Sequence, residues 1–547
     1  MKQFSLNRLT TRNLRGDLLG GLTAAVIALP LAVAFGVASG AGPVAGLYGA
    51  ICVGFFAALF GGTPSQISGP TGPMTIVFAS VFSMHAQQPA VAFTVVVLAG
   101  AFQILFGTLK LGRYINLMPY PVISGFMTGI GCILIIMQLE PLLGYQSPTS
   151  VSNAISVLPD QLLAPNWHAV AIGSIALLIC LFTPAPVSRR IPPSLLALAV
   201  SSLLVVILDE ASVIGKLPTG FPDFVIPLFV FDSLNEILVS AVVLAILGSM
   251  DSLLTSLAAD NVTRSFHDSD KELVGQGIGN LVAGFVGALP GAGATIRTLS
   301  NIKAGGRTAL SGISHSSVLL IVVLGFGRGL EFIPHAALAG ILIKVGVDVI
   351  DWRYLRLMGR APNSDFMLML IVLMLTVFVD VITAVAVGFV LAALTFVKES
   401  AEVQMESIKA LSDPDHAQFL NHEEAALFRR CNAKLLFLYL SGLMSFGAAK
   451  ELTRRLAQVS SFEVLLIDLS EVPRVDGSAA LALGEVVERA IDAEQDVILV
   501  GLSADVARLL GRMHILDRFH ETKRFSSRLE ALAYAARQLE TSSATDA

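Results

Sequence analysis

Two short segments rich in glycine and proline interrupt long apolar stretches of this sequence, and their composition suits anion binding. They are residues 68–75 (SGPTGPMT) and residues 290–297 (PGAGATIR). Each leads into a short apolar stretch with helical character. The first turn of a helix has N–H groups without intrahelical partners and a partial positive charge, so two such turns facing each other would bind an anion. The alternative is a pair of ordinary helix kinks.

A single carboxylate marks a second candidate site. Asp251 is the only charged residue between Glu236 and Asp260, in an otherwise apolar stretch. A carboxylate within a membrane helix is costly and indicates a functional site by default. Thr255 lies one turn away on the same helix face. Together with carbonyl groups of an unwound segment, these side chains could surround a hard cation such as Na⁺. A structural carboxylate bonded to a neighbouring helix and a proton-binding site are the alternatives.

Two other polar residues each fit two roles. Arg297 would lie in the first turn of the second short helix, where it could add charge to the anion site or pair with Asp251. Ser478 sits in a strand-to-helix loop of the C-terminal region, where it could cap the helix or accept a phosphate. Capping alone is the simpler interpretation of Ser478, and the two roles of Arg297 stay open.

The elements that position these residues are predicted to span a bilayer. Of 547 residues, 54% are hydrophobic and only 14% are charged, against about 25% in a soluble protein. No Asp, Glu, Lys or Arg occurs from Leu18 to Leu109. Because a spanning helix needs about 20 apolar residues, this stretch alone holds several spans.

The sequence predicts fourteen transmembrane helices in two sets of seven. An odd number in each half gives the halves opposite orientations, as in the inverted repeats of secondary transporters. The two glycine-rich breaks open the third helix of each half, and such matching breaks mark a binding site near the middle of the bilayer. The predicted spans are residues 18–38, 44–61, 72–86, 91–109, 121–143, 167–183 and 191–208, then 236–259, 272–289, 295–304, 309–327, 335–350, 364–380 and 381–397.

The C-terminal region has a different composition. Residues 401–547 carry 16 Lys and Arg against 22 Asp and Glu, an acidic balance that argues against a nucleic-acid partner. Strand and helix patterns alternate, which predicts an α/β domain. We therefore predict a membrane domain over residues 1–400, a connector over 401–418 and a soluble domain over 419–547. The predicted strands are 434–441, 463–469 and 496–502, and the predicted helices are 448–459, 479–494, 504–513 and 526–539.

The distribution of charge predicts which side of the membrane each terminus lies on, and the motifs of the sequence limit the reactions that the protein could catalyse. Basic residues before the first span place the N-terminus in the cytoplasm, and an even number of spans returns the C-terminus there. No Walker A, GxSxG or HExxH motif occurs, so neither ATP-driven nor hydrolytic chemistry has support. The four cysteines are scattered without a CxxC pair. We expect no enzyme activity and no tightly bound cofactor.

Several stretches resemble the sulfate permease (SulP, solute carrier 26) family of anion transporters, whose chains end in a STAS domain, named for sulfate transporters and anti-sigma factor antagonists. They are GDLLGGLTAAVIALPLAVAFGVASG, GGTPSQISGPTGPMT, KELVGQGIGN followed by GAGAT, and GGRTALSG. The resemblance is greatest to the family's cyanobacterial sodium-dependent bicarbonate transporters. It implies a seven-plus-seven inverted repeat with core and gate domains, in which the third and tenth helices are half-helices.

The resemblance also implies roles for individual residues. The implied anion contacts are Thr71, Ala294 through its backbone amide, Thr295 and Arg297. The implied Na⁺ ligands are Asp251, Thr255, Gly293 and Thr295, and the implied regulatory phosphorylation site is Ser478. One departure concerns coupling: the sodium–bicarbonate members have glycine where this chain has Arg297, and a positive charge there lessens the need for Na⁺.

These observations lead to a hypothesis of Na⁺-coupled bicarbonate symport by alternating access, with sulfate as the next substrate. One alternative is a proton-coupled or exchanging carrier for sulfate or a dicarboxylate. Another, of a different class, is an anion-binding sensor or channel that signals through the STAS domain. The expected setting is a bacterial inner membrane, with a small inorganic anion, the lipid bilayer and a second copy of the chain, bound through STAS, as partners.

Overall fold

Each of the fourteen predicted apolar segments contains a helix in the computed structural model of the protein. The chain forms two units, Met1–Ala392 and Ala393–Ala547, which are described separately. The structure describes residues 5–7, 11–115, 119–148, 150–188, 191–208, 212–215, 222, 224–230, 233–357, 360, 362–379, 381–413, 417, 419–431, 434–445, 462–519 and 523–545.

Among its described residues, the first unit consists of helices with their connecting loops and one pair of two-residue strands. The strands are β1 (Ser68–Gly69) and β2 (Ala292–Gly293). The helices are α1 (Leu14–Ala38), α2 (Pro43–Phe60), α3 (Gly72–Met84), α4 (Pro89–Thr108), α5 (Gly112–Ile115), α6 (Tyr120–Leu142), α7 (Val151–Leu163), α8 (Trp167–Phe182), α9 (Ala185–Ser188), α10 (Pro193–Leu208), α11 (Leu234–Thr263), α12 (Ser269–Phe285), α13 (Thr295–Lys303), α14 (Ala309–Leu330), α15 (His335–Val349), α16 (Trp352–Leu357), α17 (Asn363–Phe378) and α18 (Val381–Glu406), the last of which continues into the second unit.

Five of these helices are individually long and apolar enough to cross a bilayer: α1, α2, α4, α6 and α11. Helices α3, α10, α14 and α17 are apolar but shorter, and α7 meets α8 at an angle of 117°. The prediction of a helical, multi-pass membrane domain is confirmed. Helix α7 was missed because it is amphipathic, with only Ala154 and Gln161 buried, so an apolar window does not detect it.

Small residues allow the helices of this unit to approach closely. Where α4 crosses α12, a Cβ atom added to Gly100 would lie 2.6 Å from the Gly277 carbonyl oxygen. Membrane helices commonly use such contacts, because lipid offers no hydrophobic driving force for their association. One continuous apolar core, which includes Phe78, Ile130 and Leu244, fills the space between the helices.

Asp17 fastens the start of α1 to the start of α14. Its side chain is fully buried, and its Oδ1 accepts hydrogen bonds from the N–H groups of Arg307 (2.7 Å) and Thr308 (3.0 Å). Its Oδ2 accepts from the Thr308 hydroxyl at 2.7 Å. The carboxylate thus holds Thr308, the N-cap residue of α14, from a distant part of the chain. This contact holds the turn that leads out of α13.

The second unit is a five-stranded α/β domain, which confirms the predicted class. Its sheet order is β3-β4-β5-β6-β7, with β3 antiparallel to β4 and the other neighbours parallel. The strands are β3 (Ile408–Leu411), β4 (Leu435–Ser441), β5 (Val464–Glu471), β6 (Asp496–Val500) and β7 (Arg524–Phe525), and the helices are α19 (His422–Arg430), α20 (Gly477–Asp492), α21 (Ala504–Arg512) and α22 (Arg528–Thr545).

Two predicted segments of the C-terminal region, the connector and the first helix, do not correspond simply to elements of the structure. The predicted connector, residues 401–418, contains the end of α18 and strand β3, whose Ile408 is fully buried on the sheet. A four-residue edge strand is too short to stand out in a polar segment. The helix predicted over residues 448–459 lies outside the described residues.

A hydrogen-bonded cluster of charged residues and a tyrosine lies on the sheet. Arg528 Nε donates to the fully buried Asp468 Oδ2 at 2.6 Å, and Arg528 Nη2 donates to Glu471 Oε1 at 3.0 Å. The Tyr439 hydroxyl donates to the other Glu471 oxygen at 2.6 Å. Hydrogen bonds from Tyr439 and Arg528 hold the pKa of the Glu471 carboxyl below its usual value.

We predict that Asp17→Ala lowers the stability of the membrane unit by about 2 kcal/mol, because the N-cap residue Thr308 loses its acceptor and buried donors are left unpaired. The measurement is the thermal midpoint of the detergent-solubilised protein. Asp17→Asn keeps one acceptor oxygen and should fall between Asp17→Ala and wild type. Equal midpoints for all three proteins would contradict this role of Asp17.

Candidate anion and cation site

The two glycine-rich breaks meet inside the first unit. Strands β1 and β2 pair antiparallel, with Ser68 opposite Gly293 and Gly69 opposite Ala292. All four residues are buried. Because the strands pair and each enters a helix within three residues, the starts of α3 and α13 lie close together. The pairing thus brings together two helix N-termini that are far apart in sequence.

Glycine is required where the two strands touch. A Cβ atom on Gly291 would lie 2.5 Å from the Gly69 carbonyl carbon, closer than any side chain can approach. Gly69 itself has φ +152°, which disfavours other residues. Asn280 of α12 fixes the Gly291 backbone, because its Oδ1 accepts from the Gly291 N–H (2.7 Å) and its Nδ2 donates to the Gly291 carbonyl (2.9 Å).

Side chains of α13 fix the segment that leads into β1. The Thr298 hydroxyl accepts a hydrogen bond from the Ile67 N–H at 3.0 Å. Asn301 Nδ2 donates to the Ser65 carbonyl at 2.8 Å. Irregular backbone at membrane depth needs such partners, because no water is present to supply them. The polar residues of α13 therefore build the entry to α3.

The anion contacts implied by the family resemblance lie at the two helix starts. Thr71 and Ala294 have extended backbones and immediately precede α3 and α13, and neither helix has a side-chain cap. The Thr71 hydroxyl is buried, makes no hydrogen bond of standard geometry to a described residue, and lies beside the Asp251 carboxyl. It is therefore available to a ligand at the start of α3, beside the first-turn N–H groups.

One implied contact differs in the structure. The Ala294 N–H donates to the Ile67 carbonyl at 2.9 Å, so this amide is already engaged. The reason is that the β1–β2 ladder continues one residue beyond the strands. The amides that α13 leaves to a ligand are those of its first turn, which begins at Thr295.

Arg297 is buried between the two helix starts. Its Nη2 donates to the Pro70 carbonyl at 2.7 Å, and its Nη1 lies against Gly69. No guanidinium nitrogen of Arg297 lies within 4 Å of an Asp251 carboxylate oxygen, so these two described residues form no ion pair. Arg297 is thus not paired directly with Asp251, and its guanidinium lies at the start of α3.

Three of the four implied Na⁺ ligands are in direct contact, and the fourth, Asp251, lies one helical turn away. Thr255 Oγ1 donates to the Gly293 carbonyl at 3.0 Å and shares a 2.8 Å hydrogen bond with Thr295 Oγ1. Asp251 lies one turn before Thr255 on α11, and its carboxyl has Thr71 and Arg297 as polar neighbours. Carboxylate, hydroxyl and carbonyl oxygens suit a hard cation. Among the described residues no cluster of three His, Cys, Asp or Glu could hold another metal.

A cavity of about 360 Å³ reaches toward this site from one end of the unit. Helices α1 and α3 line one wall, and α6, α7 and α17 line the other. Its inner end includes Thr75, whose N–H donates to the Thr71 carbonyl, so it ends one turn from the candidate anion contact. Uncharged polar side chains line it, namely Ser39, Thr75, Ser80, Ser83, Gln138, Ser147, Ser150, Ser152 and Thr376.

In the second unit the capping interpretation of Ser478 is wrong. Helix α20 begins at Gly477, and Asp476 is its N-cap, with Oδ1 accepting from the Ala479 N–H at 2.8 Å. The helix starts two residues earlier than expected, so the aspartate is the side chain in the capping position. Ser478 is exposed in the first turn. Its phosphorylation stays a prediction.

Comparison with known proteins identifies the chain. The family model described as the sulfate permease family matches residues 14–372, and the STAS domain model matches residues 429–531. The chain belongs to the sulfate permease family. The resemblance read from the sequence is confirmed, and the chain is a multi-pass membrane transporter rather than an enzyme.

Three curated sulfate permease relatives align over nearly the whole chain. The bicarbonate transporter BicA of Picosynechococcus sp. is 45% identical, covering 97% of this chain and 96% of its own length. The protein of the same name from Synechocystis sp. is 44% identical, with coverage of 96% and 95%. The putative sulfate transporter YvdB of Bacillus subtilis is 31% identical, with coverage of 92% and 96%.

Two solved structures share the sulfate permease fold. The transmembrane domain of a cyanobacterial bicarbonate transporter BicA is 50% identical, with a TM-score of 0.66, and covers 69% of this chain and 99% of that chain. The murine solute carrier 26 family member A9 anion transporter, in its inward-facing state, gives a TM-score of 0.83 at 18% identity, covering 96% of this chain and 92% of that chain. The second likeness concerns the fold alone.

Several site residues were missed from the sequence. Asn280, Gln66 and Glu272 are buried and bond the two breaks to α12. Asn280 and Gln66 are uncharged and lie in apolar or turn-like segments, so a search for isolated charges does not find them. Glu272 is the first residue of the predicted span 272–289 and was given no role. Amide side chains at membrane depth are the signal that could have found the first two.

We predict that Gly291→Ala reduces anion uptake by about tenfold or more, because the added methyl forces the two helix starts apart at a cost of more than 1 kcal/mol. Uptake of bicarbonate and of sulfate into proteoliposomes measures the effect. Gly325→Ala on α14 is the matched control, since an added Cβ there meets nothing within 4 Å. Equal uptake by both variants would refute the argument.

Proposed function

We propose that this protein is a Na⁺-coupled bicarbonate symporter. The observation that carries the proposal is the meeting of two half-helix starts beside the Asp251, Thr255, Gly293 and Thr295 oxygens. The near full-length similarity to two transporters named for bicarbonate supports the choice of anion. The anion would lie between the starts of α3 and α13, in contact with the Thr71 hydroxyl and first-turn N–H groups.

Charge balance gives Na⁺ its role in this mechanism. Arg297 and Asp251 contribute opposite charges to the same buried region. A bound bicarbonate would leave one negative charge unbalanced, and desolvated charge of this kind is costly. A Na⁺ ion on the Asp251 carboxylate restores neutrality. Each ion thereby raises the affinity for the other, which is the thermodynamic basis of coupling.

We further propose that transport proceeds by alternating access in a seven-plus-seven inverted repeat. The core would contain α1, α3, α11 and α13, and the gate would contain α6, α8, α15 and α17. The cavity between α1 and α3 on one side and α6 and α17 on the other supports this division. Movement of one group against the other would open the site to each face of the membrane in turn.

The setting of the protein is part of the proposal. We place it in a bacterial inner membrane with both termini in the cytoplasm, as the basic residues before α1 suggest. We propose a homodimer assembled partly through the STAS domain. Ser478, exposed in the first turn of α20, is the proposed phosphorylation site, because a phosphate there would meet a favourable helix dipole.

One specific observation favours a second candidate function. Arg297 supplies a positive charge beside Pro70, and a proton on Asp251 in place of Na⁺ would leave that charge free to balance an anion. This arrangement supports a proton-coupled or exchanging carrier for sulfate or a dicarboxylate. An anion-binding sensor or channel that signals through STAS is the remaining alternative of another class.

Asp251→Ala is expected to abolish Na⁺-dependent uptake while the protein still reaches the membrane, because the mutation removes the only carboxylate among the four proposed ligands. Initial rates of labelled bicarbonate uptake at several Na⁺ concentrations measure this. Glu236→Gln, an exposed acid at the start of the same helix, serves as the control. Persistence of sodium dependence in Asp251→Ala would sink the cation assignment.

A panel of anions separates the candidate functions. Proteoliposomes containing the wild-type protein should accumulate bicarbonate in proportion to an inward Na⁺ gradient, with little sulfate uptake. Sulfate uptake that follows pH and ignores Na⁺ would replace symport by the second candidate. Anion binding without concentrative uptake would instead indicate the sensor or channel.

A further inference from the structure

A buried glutamate on α12 connects the two halves of the site without touching either ligand position. Glu272 is only 1% exposed and lies in the first turn of its helix. Its Oε1 accepts hydrogen bonds from Gln66 Nε2 (2.9 Å) and Gln276 Nε2 (2.8 Å). Its Oε2 accepts from the Thr63 N–H at 2.8 Å. Every neighbour with a stated hydrogen bond is a donor, so the group acts as a carboxylate.

No Lys or Arg forms an ion pair with Glu272 in the part of the chain that the structure describes. Its charge is instead held by three N–H donors and by the positive end of α12. A carboxylate held in this way fixes its partners tightly, since each bond to a charged acceptor is stronger than one between neutral groups. The two glutamine amides are therefore held in one orientation.

The Gln66 side-chain amide packs directly against the proposed cation site. Gln66 Nε2 lies 2.3 Å from the position that a Gly293 Cβ atom would occupy, so the amide packs against the Gly293 backbone. The Gly293 carbonyl accepts from Thr255, and the Gln66 Oε1 accepts from Ser256, the next residue of α11, at 2.9 Å. Gln66 is thus locked between Glu272 and the helix that carries Asp251.

The second amide reaches the strand on the anion side. Gln276 Nε2 donates to the Ser68 hydroxyl at 2.6 Å. Ser68 stands opposite Gly293 in the β1–β2 pair. One carboxylate consequently sets the position of both strands through two amides, and any movement of the Gly293 carbonyl must disturb this network.

We propose that Glu272 is a positioning residue for the cation site, which acts through Gln66 to place the Gly293 carbonyl for Na⁺. The proposal rests on the proposed Na⁺ coupling and goes further by assigning the origin of Na⁺ affinity. It requires that loss of the Glu272–Gln66 contact weakens cation binding more than it slows transport at saturating Na⁺.

The test compares the KM for Na⁺ with kcat during bicarbonate uptake into proteoliposomes. Glu272→Gln replaces an acceptor by an amide and should raise the KM for Na⁺ by about tenfold, the effect of losing one hydrogen bond to a charged group. The kcat should change by less than about threefold. Glu140→Gln is the control, because Glu140 is also buried and bonded to a glutamine, Gln161, but lies outside this network.

A swapped pair distinguishes positioning from a general structural role. Combining Gln66→Glu with Glu272→Gln restores a carboxylate–amide bond with the partners exchanged, so the KM for Na⁺ should return to within about threefold of wild type. If Glu272→Gln fails to reach the membrane, Ser256→Ala decides, because it frees Gln66 Oε1 and should raise the KM for Na⁺ by about threefold.

Two outcomes overturn the inference. One is a folded Glu272→Gln protein, or Ser256→Ala where that variant decides, with the wild-type KM for Na⁺. The other is a swapped pair whose KM for Na⁺ stays as high as that of Glu272→Gln. A wild-type protein whose uptake ignores Na⁺ would refute the proposed coupling itself, so the two failures are distinguishable.

Discussion

The contact between Gly69 and Gly291 is the constraint on which the rest of the site depends. Two chain segments leave helical structure inside an apolar environment, and their backbone groups must find partners within the protein. Pairing the segments with each other meets that need for two residues of each strand, and the Ile67–Ala294 bond extends it by one more. The pairing works only if the backbones touch, which excludes side chains at the crossing.

Neighbouring helices supply the remaining partners of these segments. Asn280 and Glu272 act from α12, Thr298 and Asn301 act from α13, and Ser252 of α11 accepts from the Gly293 N–H at 3.0 Å. The crossing is thereby bonded on several sides to helices that are themselves closely packed. These hydrogen bonds fix the geometry of the crossing from three neighbouring helices.

The sequence predicts the local parts of this arrangement well. Glycine and proline at residues 68–75 and 290–297 mark the breaks, and the spacing of Asp251 and Thr255 places both on one helix face. The long-range partners were not predictable in the same way, because nothing local to Ala294 shows that its amide meets Ile67. Likewise, the choice of Asp476 over Ser478 as helix cap depends on where α20 begins, and helix ends are uncertain by a residue or two.

Construction from main-chain groups has a consequence for how this architecture diversifies. Backbone amides and carbonyls are the same in every sequence that can form the glycine crossing, so the general capacity to hold an anion is inherited with the fold. In the proposed site, discrimination among anions would depend on the few side chains that border it, such as Thr71 and Arg297. A lineage can exchange those residues one at a time and acquire a new substrate without rebuilding the scaffold.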